Sequence, residues 1–98
     1  MINFSILILS GASKGDRFKY KISDLESVTI GRAPDNKLIL QDVNISRHHA
    51  KIESKFGKLF LVDLNSSHGT ILMGFRLKAN VEQEISNGDE FKIGDILF

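Results

Sequence analysis

Along the chain, apolar residues recur at every second position or in short runs, and turn residues interrupt them. Ser5-Ile6-Leu7-Ile8-Leu9 ends at Ser10-Gly11, and Arg17-Phe18-Lys19-Tyr20-Lys21-Ile22 alternates polar with apolar throughout. Ser27-Val28-Thr29-Ile30 stops at Gly31, and Lys37-Leu38-Ile39-Leu40 stops at Gln41-Asp42. Further on, residues 50–53 and 58–62 flank Phe56-Gly57, and residues 81–85 and 90–93 flank Asn87-Gly88-Asp89. Successive side chains of a strand point to opposite faces, so these runs predict strands, and the two glycine-containing turns predict hairpins. No window long enough for a helix keeps an apolar stripe at helical spacing. The fold class is therefore all-β, a sandwich or barrel with turns at short intervals.

Size and composition narrow the picture only a little. A chain of 98 residues allows one domain, spanning 1–98, and buries about 65% of its unfolded surface, enough for one core without metals or staples. Hydrophobic residues make up 42% and charged residues 26%, which excludes disorder and collagen-like repeats. With no cysteine, disulfides, thiol catalysis and cysteine zinc sites are excluded together. Thirteen basic against twelve acidic residues leave a net charge of +1, too balanced for a nucleic-acid partner bound through its phosphates. The densest basic run, Lys14, Arg17, Lys19 and Lys21, reads as one solvated strand face. The apolar start lacks the basic lead and the length of a signal peptide, and no stretch reaches the length of a membrane span. The expectation is a cytoplasmic protein with no membrane partner.

The loops carry the unusual chemistry. Gly31-Arg32 follows one strand, Ser46-Arg47-His48-His49 follows a polar loop, and Asn65-Ser66-Ser67-His68-Gly69-Thr70 follows a third strand. Together they present two guanidinium groups, several hydroxyls, imidazoles and glycine-bent backbone, with few carboxylates. A donor-rich set of this kind suits a phosphate monoester, which carries about −1.5 to −2 charges near neutral pH and three acceptor oxygens. Arg32 and Arg47 offer charge-assisted bonds, and Ser46 and Ser67 add short hydroxyl donors.

These blocks, continued by Asn87-Gly88-Asp89 and Ile93-Gly94, resemble in order and spacing the pattern of the forkhead-associated (FHA) domain. The resemblance is most specific over residues 28–94. It implies an eleven-stranded β-sandwich that binds phosphothreonine peptides through loops at one end. It assigns phosphate contact to Arg32 and Ser46, a phosphate or peptide contact to Arg47, and a phosphothreonine contact to Ser67. Gly31, His49, Gly69 and Thr70 fall at positions that shape these loops. Two positions depart from the family. His68 stands where an asparagine usually holds the peptide backbone, and Leu72-Met73-Gly74 stands where Val-Asn-Gly is common. A neutral imidazole also offers one donor and one acceptor, but on a longer, planar ring.

Other chemistries fit less well. His48 and His49 are adjacent and point apart in extended backbone, so a zinc site with His68 would need three loops to converge. A Ser-His-Asp triad from Ser46 or Ser67, His68 and Asp63 lacks a nucleophile elbow and a substrate pocket. Asp63 reads as a structural strand-end residue, and His49 as a histidine bracing backbone. The phenylalanines fall mainly at strand positions, where core packing explains them. One tyrosine and no tryptophan argue against a stacking platform for single-stranded nucleic acid.

The expected function is thus a non-enzymatic module without cofactor or metal, whose partner is a phosphothreonine-containing protein made by a Ser/Thr kinase. Three or four charge-assisted bonds at about 1.5–3 kcal/mol each, less the cost of association, predict roughly micromolar binding. The domain is expected to be the N-terminal part of a longer signalling protein. The alternative is an FHA-fold interaction or self-association module that does not need phosphate, motivated by His68 and Met73.

Overall fold

Eleven strands form among the residues that the computed structural model describes, which are 2–11, 14–94 and 96–97. They are β1 (Ile2–Leu7), β2 (Arg17–Ile22), β3 (Ser27–Gly31), β4 (Leu38–Ile39), β5 (Ala50–Lys55) and β6 (Lys58–Asp63). Five shorter ones follow: β7 (Thr70–Leu72), β8 (Phe75–Arg76), β9 (Gln83–Ile85), β10 (Phe91–Ile93) and β11 (Ile96–Leu97). The alternation read from the sequence has its expected outcome in β5, where Ala50, Ile52 and Ser54 are buried and the residues between them are not. In β2, Arg17, Lys19 and Lys21 are exposed while Phe18 and Tyr20 are half-buried.

The strands lie in a five-stranded sheet of order β4-β3-β5-β6-β9, a four-stranded sheet of order β11-β10-β7-β8, and a β1-β2 ribbon. Ile30, Ile52 and Leu61 from the first sheet share one cluster with Leu72, Phe91 and Ile93 from the second, and Ile6 and Ile8 join it. The core therefore sits between two sheets, as in a β-sandwich. At roughly 25 cal/mol per Å² of apolar area, removal of these side chains from water is the main stabilising contribution.

Two hairpins close through two-residue turns. Lys55 faces Lys58 across Phe56-Gly57, and Leu72 faces Phe75 across Met73-Gly74. In both turns each central residue has positive φ (52° and 76°, then 48° and 85°), which is the type I′ geometry that matches strand twist. The Asn87-Gly88 segment is not a hairpin, contrary to the pattern around it. β9 pairs with β6 and β10 pairs with β7, so this turn carries the chain from one sheet to the other. Local turn chemistry specifies a reversal, and only long-range pairing decides which strand is the neighbour. The phenylalanines also divide. Phe91 is buried and Phe4, Phe18 and Phe60 are half-buried, but Phe56 and Phe75 are 86% and 78% exposed at the hairpin turns. Phe98 lies outside the described residues.

Candidate functional site

Strand register gathers the loops. Ile30 faces Ala50 and Ala50 faces Asp63, so β3, β5 and β6 reach the same end of the sheet in step. The ladder runs one residue further, with the His49 amide donating to the Ile30 carbonyl (2.9 Å) and the Leu64 amide donating to the His49 carbonyl (2.8 Å). Everything singled out in the sequence as phosphate chemistry departs from this edge.

The first two loops are fastened to each other through backbone. The Arg32 amide donates to the Ser46 carbonyl and the Ala33 amide to the Arg47 carbonyl, each at 3.1 Å. Gly31 is required by this approach. A Cβ there would lie 2.2 Å from the Arg47 carbonyl oxygen, far inside contact distance. Asn36, which the sequence reading passed over, is buried beneath the same junction. Its Nδ2 donates to the Ala33 and Arg47 carbonyls at 2.8 and 2.7 Å. The one signal for it was its place in the polar turn Ala33-Pro34-Asp35-Asn36. Arg32 is exposed, yet its Nε donates to the Ile45 carbonyl at 3.1 Å. That bond orients the guanidinium and leaves its two terminal amino groups without a partner among the described residues.

The third loop hangs on Asp63. Its carboxylate is buried and accepts hydrogen bonds from the Ser66 hydroxyl, the Ser66 amide (3.1 Å) and the Thr70 hydroxyl (2.7 Å). Ser66 Oγ in turn accepts from the Gly69 amide at 2.9 Å. Asp63 and Thr70 thus shape the loop. Ser67 and His68 are left exposed at its tip.

Two contacts join this loop to the second one. The Ser67 amide donates to Ser46 Oγ at 3.1 Å, which places the two serines side by side while the Ser46 hydroxyl proton stays available. Below them, fully buried His49 accepts the Ser46 amide at Nδ1 (3.1 Å) and reaches the Gly69 carbonyl with Nε2 (2.9 Å). An amide can only donate and a carbonyl can only accept, so His49 is the neutral tautomer protonated at Nε2. The structure brings Arg32, Ser46 and Ser67 together at one end of the sheet, Arg47 and His68 are exposed next to them in the same loops, and Gly31, His49, Gly69 and Thr70 are buried.

Charge at this end is uneven. His48 is exposed and pairs through Nε2 with both oxygens of Asp35 at 3.0 Å. This hydrogen bond holds the Asp35 carboxyl below the ordinary carboxylate value. The remaining ion pairs among the described residues, Lys51–Glu53, Lys55–Glu82 and Lys58–Glu84, lie on the five-stranded sheet or, for Glu82, just before its strand β9. Arg32, Arg47 and Arg76 form no ion pair among the described residues, although the Arg47 charge acts on Asp35 from a longer distance. Arg76 was not anticipated. It is exposed on β8, and its guanidinium packs across Gly69.

Met73 belongs elsewhere. It occupies the turn at the far end of β7, where its amide donates to the Glu90 carbonyl (3.0 Å) and its sulfur accepts the Glu90 amide (3.3 Å). The asparagine common at this position suits a left-handed turn residue, so its replacement alters a hairpin and leaves the phosphate-type loops alone.

The FHA domain sequence model matches residues 28–94, from the second residue of β3 to the residue after β10, which takes in all three loops. The chain belongs to the forkhead-associated family. FHA domains are phosphothreonine-peptide binding modules that mediate phosphorylation-dependent protein–protein interaction, and this chain is one of them. It is 34% identical over 89 residues to an oxoglutarate dehydrogenase inhibitor of Corynebacterium jeikeium, covering 91% of this chain and 58% of that protein. It is 33% identical over 89 residues to the glycogen accumulation regulator GarA of Mycolicibacterium smegmatis, covering 91% and 52%. The FHA domain thus spans little more than half the length of these relatives, whose names are those of an inhibitor and a regulator. Among solved structures, it superposes on the FHA domain of an Arabidopsis thaliana hypothetical protein with a TM-score of 0.85 (30% identity, 95% of this chain and 78% of that one). It also superposes on the N-terminal FHA domain of Saccharomyces cerevisiae Rad53p in complex with a phosphothreonine peptide. That TM-score is 0.83, with 25% identity over 99% of this chain and 89% of the other.

Proposed function

We propose that the domain captures a phosphothreonine through Arg32, Ser46, Arg47 and Ser67, with His68 holding the backbone of the peptide beside it. The observation that carries this reading is the Ser67–Ser46 contact above His49. It sets Ser67 against the Ser46 hydroxyl, one residue from the Ile45 carbonyl that orients the Arg32 guanidinium. Charge-assisted bonds from arginine to phosphate are short and about twice as strong as neutral ones, and a preoriented fork loses less entropy on binding. The peptide lies extended across the loops. Having no reaction of its own to perform, the domain acts by recruitment. It works in the cytoplasm as part of a longer signalling protein, and the greater length of the relatives supports the latter reading.

A fluorescence titration against degenerate peptides centred on phosphothreonine, phosphoserine, phosphotyrosine and threonine tests this. Saturable binding confined to the phosphothreonine pool is expected. Equal binding of phosphorylated and plain pools by folded protein would overturn it in favour of a phosphate-independent module.

A further inference from the structure

The phosphate contacts assigned above leave Arg76 unused. From β8 its guanidinium reaches over Gly69, with Nε 2.7 Å and Cζ 2.9 Å from the point where a Cβ at position 69 would sit. Gly69 is therefore the residue that makes room for it. Gly69 directly follows His68, so the guanidinium lies one residue from the group assigned to the peptide backbone. It is exposed there and has no carboxylate partner among the described residues.

The nearest carboxylate to the first two loops is already engaged. The exposed carboxylate of Asp35 is bound to His48 at 3.0 Å, and the Arg47 charge adds a small contribution to keeping it ionised. Asp35 is thus partnered within its own loops, whereas Arg76 offers an uncompensated guanidinium to an extended peptide crossing the Ser46–Ser67 junction. Opposite charges attract over a few ångströms, so this guanidinium favours an acidic peptide residue beside it.

We propose that Arg76 determines specificity, selecting phosphothreonine peptides that carry an acidic side chain on one side of the phosphothreonine. This rests on the phosphate-binding reading of the same loops. The planar guanidinium fork matches a carboxylate, and its exposure keeps the gain modest, about two- to fivefold in affinity. Added salt reduces that gain, because exposed charges are screened within about 10 Å at 0.1 M.

Three phosphothreonine peptides test it: one with alanine flanks, one with glutamates before the phosphothreonine, and one with glutamates after it. Wild-type protein should prefer one glutamate peptide over the alanine peptide by about two- to fivefold, and less at high salt. In Arg76→Ala the preference should fall to unity, and Arg76→Lys should recover part of it. If Arg76 merely covers Gly69, Arg76→Ala weakens all three peptides alike and the preference ratio survives, which overturns the proposal. Wild-type binding of all three with equal affinity overturns it too, and leaves phosphate binding intact. Failure to bind any phosphorylated peptide instead removes the phosphate reading itself, and this inference with it.

Discussion

His49 and Gly69 are joined by a buried hydrogen bond of 2.9 Å from the imidazole Nε2 to the carbonyl, twenty residues apart in sequence. The other ring nitrogen accepts the Ser46 amide, so a single neutral imidazole spans the two loops that carry both serines. Removing the ring leaves a buried amide and a buried carbonyl without partners, and a cavity as well. His49→Ala should therefore lower stability by about 2–4 kcal/mol, measured by urea denaturation, and weaken phosphopeptide binding in protein that remains folded.

Gly31→Ala should separate the first two loops. A methyl group 2.2 Å from the Arg47 oxygen forces that backbone away, with a further contact 2.9 Å from Asn36 Nδ2. The expected cost is about 1–3 kcal/mol of stability, read from the thermal midpoint. Phosphothreonine-peptide affinity should fall at least about tenfold, because Arg32 and Ser46 lose their relative placement.

Arg32→Ala should separate binding from stability. The side chain is exposed and holds one hydrogen bond to the Ile45 carbonyl, so unfolding free energy should drop by less than about 1 kcal/mol. Loss of two charge-assisted bonds at about 1.5–3 kcal/mol each should weaken phosphopeptide binding on the order of 100-fold or more. Calorimetric titration beside thermal melting checks both. Binding at wild-type strength by this variant would refute the site assignment.

The two departures from the family pattern should behave oppositely. Met73→Asn places a residue suited to positive φ (48° here) in a type I′ turn and should raise stability by about 0.5–1 kcal/mol. Phosphopeptide affinity should stay unchanged, because the turn lies away from the loops. His68→Ala should weaken binding by about three- to tenfold, the worth of one neutral hydrogen bond, with little change in melting.

Asp35 supplies a pH signature. Its carboxyl sits below the ordinary value of 3.8 because His48 hydrogen-bonds the charged form. A carboxyl lowered in the folded state stabilises above its unfolded value, and that contribution is lost as pH falls through the folded value. The difference in thermal midpoint between wild type and Asp35→Asn should therefore be present above about pH 4 and vanish in more acid solution. Its size should be small, since the pair is exposed.

The longer strands were legible because each buries one face. Alternation in 17–22 and in 50–53 marks a two-residue period that no other regular structure shows. The short strands β7, β8 and β11 escaped that reading, since two or three residues carry no period. Arg32, Ser46, Arg47, Ser67 and His68 were legible as donors clustered in loops, with the family resemblance ordering them. Asn36 and Arg76 were not. A buried asparagine and an exposed arginine look ordinary until the backbone they touch is in place.

By itself the sequence determined the all-β class, the loop positions, the donor-rich chemistry and the family, because these depend on local period and residue type. Tertiary structure alone decided that Asn87-Gly88 crosses between sheets and that Met73 stands apart from the site. It also decided that His49 binds two loops and that Arg76 faces Gly69. Such relations are set by strand register and packing between residues distant in sequence, and no local pattern encodes which distant residues meet.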